Sequence, residues 1–346
     1  MIATALENQV GSRRLQNAMS RRAQAPPPIW LMRQAGRYHR HYKNLRQQHP
    51  FMDLCKRPEL AAEVALGPVL DFDFDAAILF SDLLFPLEAL GMGLQYTDQG
   101  PKLDWQLGQH NLARLRSVDE AWPNLLFQGE AMRATRELLP SDRSLIGFVG
   151  GPWTLFVYAV VGTHQRAPAA LEQLPLFAGF CETLIPLLIR NIELQLASGA
   201  ELVMVFDTAA GNLSAETFGS EVVPQLERLT AKFPSQLGYY SKGTEPAHLR
   251  RPLFTEDRWS GIAVDHNWDL LDAFELFPNG FIQGNFDPAL LLLERVELEG
   301  RLVNYLKRLG ESDRAGWICG LGHGVLPTTP EENVRLFVNT VREVLQ

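Results

Sequence analysis

The sequence predicts an α/β fold, a single (β/α)8 TIM barrel, from three observations. Eight short apolar runs recur along the 346 residues, and most are separated by stretches with helical spacing. The runs are continuous rather than alternating, as strands of a parallel sheet buried on both faces require. Polar residues follow the runs directly, where a barrel gathers them at one mouth, the C-terminal end of its strands. On strand count alone, a two-domain doubly wound sheet is the alternative.

In order, the predicted strands begin with Ile29 to Met32, leaving the Pro26-Pro27-Pro28 punctuation. A helix over Pro58 to Leu70, with Glu59 in its first turn and Ala61, Val64, Ala65 and Leu66 as its apolar face, leads to Ala76 to Phe80. Gly91 to Leu103 is irregular, a loop or hairpin, and Ser117 to Leu138 is helical. Ser144 to Gly150 is the third strand. Leu171 to Ala197 is a helix kinked near Pro186, and Glu201 to Phe206 is the fourth strand. Ser214 caps a helix to Leu229 before the strand Gln236 to Tyr240. Gly261 to Val264, a short helix Leu270 to Leu276, and Gly280 to Gln283 follow. A long helix Pro288 to Leu309, the strand Trp317 to Cys319 and an amphipathic helix Pro330 to Leu345 complete the pattern. Residues 1–25, with Arg13, Arg14, Arg21 and Arg22, read as a polar arm, partly helical from Leu15 to Met19; residues 26–346 read as the barrel.

Composition narrows the function classes. Hydrophobic residues at 46% and charged residues at 21% are globular values. No run approaches about 18 apolar residues, so no membrane span is expected. Ser12-Arg13-Arg14 lacks the apolar stretch of an export signal. Cys55, Cys181 and Cys319 are widely spaced and odd in number, which fits a reducing cytoplasm and no paired metal motif. A formal charge of −8 argues against nucleic-acid binding. A polyanionic ligand would need a local positive pocket in this acidic chain.

Arg33, Arg37 and Arg46 are able to supply one. Arg33 and Arg37 lie in a Gly-containing turn after an apolar run, and each guanidinium can grip a carboxylate or phosphate bidentately. As an isolated pair they would equally suit a solvated surface. Asp82, in Phe80-Ser81-Asp82-Leu83-Leu84, is a carboxylate inside an apolar run and needs a partner, a ligand or a cap. Tyr158 sits one helical turn beyond Thr154 and His323 in a glycine-rich loop; each is structural or functional on this basis alone. The run Gly320 to Gly324 also suits a barrel phosphate site. Strand ends further offer Thr208, Lys242, Asp265 and Asn285.

Trp30-Leu31-Met32-Arg33-Gln34-Ala35-Gly36-Arg37-Tyr38 resembles the N-terminal signature of the uroporphyrinogen decarboxylase family. Phe80-Ser81-Asp82-Leu83-Leu84 with Ala89-Leu90-Gly91-Met92, Gly147 to Leu155, Gln283 to Pro288, and Leu321-Gly322-His323-Gly324 resemble its other motifs, in order, over roughly residues 26–346. The resemblance implies a single barrel and a cofactor-free, metal-free decarboxylase of a tetrapyrrole in haem and chlorophyll synthesis. It implies a cytoplasmic homodimer with facing mouths. By the same resemblance Asp82 hydrogen-bonds the pyrrole NH groups, and Tyr158 is the catalytic tyrosine that positions it. Arg33, Arg37 and Arg46 bind carboxylates, Arg37 or a water it holds is a candidate for proton delivery, and Tyr158, Thr208 and His323 orient acetate or propionate arms. Gln283 to Pro288 is expected to be architectural.

Departures from the family pattern are His39-Arg40 for Leu-Pro, Asp98-Gln99 in the approach to Gly100-Pro101, Thr163-His164-Gln165 for a Gly/Ser-rich loop, Thr208 for Ser and Gly320 for Asn. They bear on substrate-lid details more than on the chemistry. Two rival readings are a corrinoid-dependent zinc methyltransferase, which needs thiolate and imidazole ligands beyond Cys319 and His323, and a tetrapyrrole carrier without turnover. A metal assay discriminates the first and binding without product the second.

Overall fold

The computed structural model describes residues 11–97, 100–309 and 315–346, and the side chains of 164–168 are not among those described. The departure at Asp98-Gln99 and the side chains of His164 and Gln165 therefore lie outside the described residues. The strands are β1 Ala76–Ile78, β2 Gln95–Thr97, β3 Gly100–Lys102, β4 Ser144–Gly150, β5 Leu202–Asp207, β6 Leu237–Ser241, β7 Gly261–Ala263, β8 Phe281–Phe286 and β9 Trp317–Leu321. Seven of them form one sheet in the order β1-β4-β5-β6-β7-β8-β9, every neighbour parallel. Parallel neighbours need long crossovers, and helices supply them. β2 and β3 form a separate antiparallel pair within the segment read as a loop or hairpin.

The predicted strand Ile29 to Met32 is corrected. Only Ile29 makes a bridge, parallel to Cys319 in β9. Past it, Leu31 gives its N–H to the Gln34 side chain and its carbonyl to the Gln34 N–H, so a turn replaces the ladder. The short extended piece still touches both edges of the sheet. The Cys319 amide donates to the Pro28 carbonyl, and the Asp75 amide, just before β1, donates to the Ile29 carbonyl.

Two predicted helices are interrupted. Ser117 to Leu138 is capped by a reciprocal Ser117–Glu120 box, tightens over Trp122–Leu125 around Pro123, then resumes as Leu126–Leu138. Pro288 to Leu309 divides into a tight turn Pro288–Leu292 and a helix Arg295–Leu306. The Phe177–Ala197 helix keeps Pro186 inside it. With the preceding turn, the segment Ala169–Ala197 is long and apolar enough to cross a bilayer by length and composition, which the sequence reading overlooked. Its Phe177, Phe180, Leu184, Leu188, Ile192 and Gln195 are buried on one face, as in a core helix. Gln195 donates to and accepts from the Phe148 backbone of β4, clasping helix to strand.

Of the predicted polar arm, the described part is seated on the sheet. The Arg13–Met19 helix buries Leu15 and Ala18, and Arg21 donates to the carbonyls of Phe274 and Phe277.

Candidate active site

The arginine turn is built on one buried amide. Gln34, 1% exposed, accepts from the Leu31 amide through its side chain and donates to the Ala76 carbonyl at the start of β1. Its own carbonyl accepts from the Tyr38 hydroxyl at 2.7 Å. Arg33 adopts φ +59°, a left-handed conformation that costs a non-glycine residue about 1 kcal/mol. Its side chain crosses the His323 loop at Gly324, where a Cβ would fall 2.4 Å from Arg33 Cδ. Arg33 and Arg37 are exposed. Arg46 is exposed as well, and its guanidinium donates to the His49 carbonyl at 2.8 Å beyond the end of the Arg40–Gln48 helix. Electrostatically Arg37 and Arg46 both act on Tyr42, and Arg46 and Asp82 both act on the buried Cys55. Arg37 and Arg46 thus border one region, and Asp82 links it to Arg33.

Asp82 follows β1. Its Oδ1 accepts from the Leu84 amide at 2.8 Å, and the neighbouring Ser81 hydroxyl accepts from Gln128. Desolvation raises the Asp82 pKa above the usual carboxylate value, opposed by Tyr96, the Leu84 amide and the Arg33 charge. The carboxylate is therefore held in surroundings that solvate its charge incompletely. A ligand offering N–H donors or developing positive charge would relieve that cost.

Tyr158 stands on the Pro152–Val161 helix, partly exposed, with its pKa pushed up to about 12 by burial and then by Asp82, against the pull of Arg33. Asp82, Tyr158 and Arg33 thus share one electrostatic neighbourhood. Thr208 lies partly exposed just past β5. On its one side, the buried Asp207 accepts from both the amide and the hydroxyl of Thr154, at 2.8 and 2.7 Å; on its other, the Ala209 amide donates to the Thr154 hydroxyl at 3.0 Å. Thr154 is one helical turn before Tyr158, so this clasp fixes Thr208 relative to Tyr158.

His323 follows β9, with Nδ1 2.9 Å from the Tyr240 hydroxyl. The glycines around it are explained by packing: a Cβ on Gly322 would sit 2.3 Å from the His266 amide nitrogen. Asp265 is buried and accepts from the Gly243 and Asn267 amides, and Asn285 donates to the Asp265 and Trp268 carbonyls. These two knit loops together. Lys242 is exposed, and its carbonyl receives the Gly211 amide. Cys319 is buried within β9, and among the described residues no three His, Cys, Asp or Glu side chains gather as metal ligands would.

Sequence reasoning missed the aromatic clusters. Tyr42, Phe80, Phe51 and Tyr96 form a chain of rings, with centroids 5.7, 6.0 and 4.4 Å apart, beside Asp82. A second chain links Phe148 on β4, Phe206 on β5, Tyr240 on β6 and His323 just past β9, at 5.7, 6.1 and 5.9 Å. Each ring resembles ordinary core in the sequence. The signal that would have found Tyr240 is its position among the last residues of a predicted strand.

The arrangement places exposed guanidiniums and an incompletely solvated carboxylate beside clusters of aromatic rings, which suits an N–H-bearing, multiply carboxylated ligand. Comparison with known proteins agrees. The family model described as uroporphyrinogen decarboxylase (URO-D) matches residues 11–344. Uroporphyrinogen decarboxylase of Myxococcus xanthus is 34% identical over 95% of both chains, and that of Anaeromyxobacter dehalogenans 36% identical over 91% of this chain and 93% of its own. A methyltransferase from Methanosarcina mazei shares the fold at TM-score 0.77 over 96% of this chain and 98% of its own, with 18% identity. Sequence motifs, sheet and relatives converge, and the chain belongs to the uroporphyrinogen decarboxylase family.

Proposed function

We propose that this chain is a carboxy-lyase that removes the four acetate carboxyl groups of uroporphyrinogen III, giving coproporphyrinogen III and carbon dioxide in porphyrin biosynthesis. The observation that carries the assignment to these residues is Asp82, a carboxylate raised in pKa by burial, answered by a backbone amide and a tyrosine, and facing Tyr158 and Arg33.

The pyrrole ring is the electron sink, so neither metal nor organic cofactor is needed. Protonation of the ring carbon next to the one that bears the acetate gives a cationic, imine-like intermediate. The C–C bond to the carboxylate then breaks, its electron pair forming an exocyclic methylene and neutralising the iminium as carbon dioxide leaves. A proton adds to that methylene to make the methyl group, and the ring carbon gives up the proton it gained. Asp82 accepts the pyrrole N–H groups and offsets the cation. Arg33, Arg37 and Arg46 hold acetate or propionate carboxylates, Tyr158, Thr208 and His323 orient the arms, and Tyr158 also positions Asp82. Arg37, or a water it holds, is the candidate for delivering the proton; an ordinary arginine is a poor acid, which favours the water.

The wider setting belongs to the same proposal. The parallel sheet, with Ile29 touching both edges, supports a closed (β/α)8 barrel over residues 26–346 whose eighth stave is Pro28–Ile29. We read the working form as a cytoplasmic homodimer with facing mouths, acting on a small-molecule tetrapyrrole and not on nucleic acid or membrane. The test is anaerobic incubation with uroporphyrinogen III, products being counted by carboxylates after oxidation. Conversion through seven-, six- and five-carboxylate species to coproporphyrinogen is expected. Tight binding without product would make the chain a carrier.

A further inference from the structure

Tyr240 is fully buried at the end of β6, its hydroxyl 2.9 Å from the Gly322 carbonyl oxygen and 2.9 Å from His323 Nδ1. The two rings lie 14° from parallel with centroids 5.9 Å apart. A carbonyl oxygen only accepts, and a phenol has one proton to give. Burial, then the charge of Asp265, raises the Tyr240 pKa well above its usual value, so that proton stays on the ring oxygen. With it donated to Gly322, the Tyr240 oxygen meets Nδ1 as an acceptor. Nδ1 must then supply the hydrogen.

We infer that Tyr240 fixes His323 as the tautomer protonated on Nδ1, so that a carboxylate bound at Nε2 must bring a proton with it. The inference rests on the carboxylate-binding role of His323 proposed above. A neutral imidazole protonated at Nδ1 presents Nε2 as an acceptor, and a carboxylate is an acceptor too. The pair is compatible only when a proton from solvent converts the ring to imidazolium, which both binds and charges the contact. Among the described residues, the groups packed around the loop include Arg33, crossing at Gly324, and Asp265 and His266, lying against Gly322. Tyr240 thereby makes one carboxylate contact of the site proton-linked, through a hydroxyl that nothing in the family motifs of this sequence marks.

Tyr240→Phe keeps the stacked ring and removes the oxygen. Long-range 1H–15N correlation spectra of the substrate-free protein, with His323 identified by the loss of its signals in His323→Gln, read the tautomer directly. The wild type is expected to carry its proton on Nδ1 and the Tyr240→Phe variant to shift towards Nε2. A wild-type ring protonated on Nε2, or a tautomer unchanged by Tyr240→Phe, overturns the assignment. The second arm is KM for uroporphyrinogen III against pH. For the wild type, KM should rise by up to about tenfold per pH unit above the pKa of the ring, and the variant should be flatter, because a neutral Nε2–H can donate to the carboxylate unaided. Parallel profiles overturn the proton linkage even if the tautomer is as expected. A wild type without turnover sinks the decarboxylase reading instead, and the spectra still decide the tautomer.

Discussion

Asp75 and Asp82 stand at opposite ends of β1, and their surroundings are opposites. The Asp75 side chain is 2% exposed; its Oδ1 lies 3.2 Å from Arg14 and 3.7 Å from Arg143, while Oδ2 takes Arg342 at 2.6 Å and the Ile29 amide at 2.7 Å. Glu201, at the same end of the sheet, is likewise occupied by the Ser144 hydroxyl, the Gln16 amide and the Leu145 N–H. Asp82 has one backbone amide and a tyrosine beside it, and the nearby arginines are exposed. A saturated carboxylate holds the chain together, whereas an under-saturated one is available to a ligand. The difference between the two ends of the strands teaches where the chemistry is.

The largest expected effect comes from removing the open charge. Asp82→Asn should lower kcat by about 10²–10³-fold, the usual loss when one preorganised charge partner is taken from a developing ion. Because burial already disfavours its ionised form, Tm should be unchanged or higher. Product analysis by carboxylate count and a thermal melt check the two halves, and retained turnover would break the comparison outright. Asp75→Asn should do the reverse. It strands the guanidiniums around it and should cost about 3 kcal/mol of stability in urea denaturation, leaving kcat of the folded enzyme unchanged.

Much of this was legible before any coordinates. Ser144 to Gly150 and Leu270 to Leu276 lie where periodicity places them, because continuous apolar runs and a 3.6-residue period report burial directly. Asp82 was conspicuous as a charge in an apolar run, and Asp75 was not, since its partners Arg14, Arg143 and Arg342 are scattered over the chain. Ile29 to Met32 misled because Gln34 competes with the ladder through its side chain, an interaction no propensity carries. The aromatic clusters were invisible for the same reason as the Asp75 cluster. Tyr96 and Phe51, or Tyr240 and His323, meet only through the fold.

Asp207 sharpens the comparison, being a third kind of carboxylate: saturated, yet at the mouth. Burial raises its pKa from 3.8 to about 6, opposed by Thr154 and Tyr239. The folded-state pKa lies above the unfolded one, so the stability this group contributes is fully present below about pH 4 and is lost as pH rises through about 6. Between pH 4 and 8 the stability of Asp207→Asn should therefore gain on the wild type by about 2–3 kcal/mol. Urea titrations of both proteins across that range measure it. A constant difference would mean that the Thr154 bonds hold the carboxylate as firmly as water does.

The smallest effect asks what the open arginines do. Arg37→Lys keeps the charge and loses the fork, which should raise KM about tenfold, near 1.4 kcal/mol, with kcat unchanged. Added salt should narrow that gap, since Arg37 is exposed and its field is screened. At the closed end, Arg143→Lys should lower stability and leave KM alone, because Arg143 is already spent on Asp73 and Asp75. The informative result is the split between the two constants. A fall in kcat at constant KM would place Arg37 at the proton-delivery step rather than on a carboxylate arm, since an interaction made only in the transition state lowers kcat without weakening substrate binding.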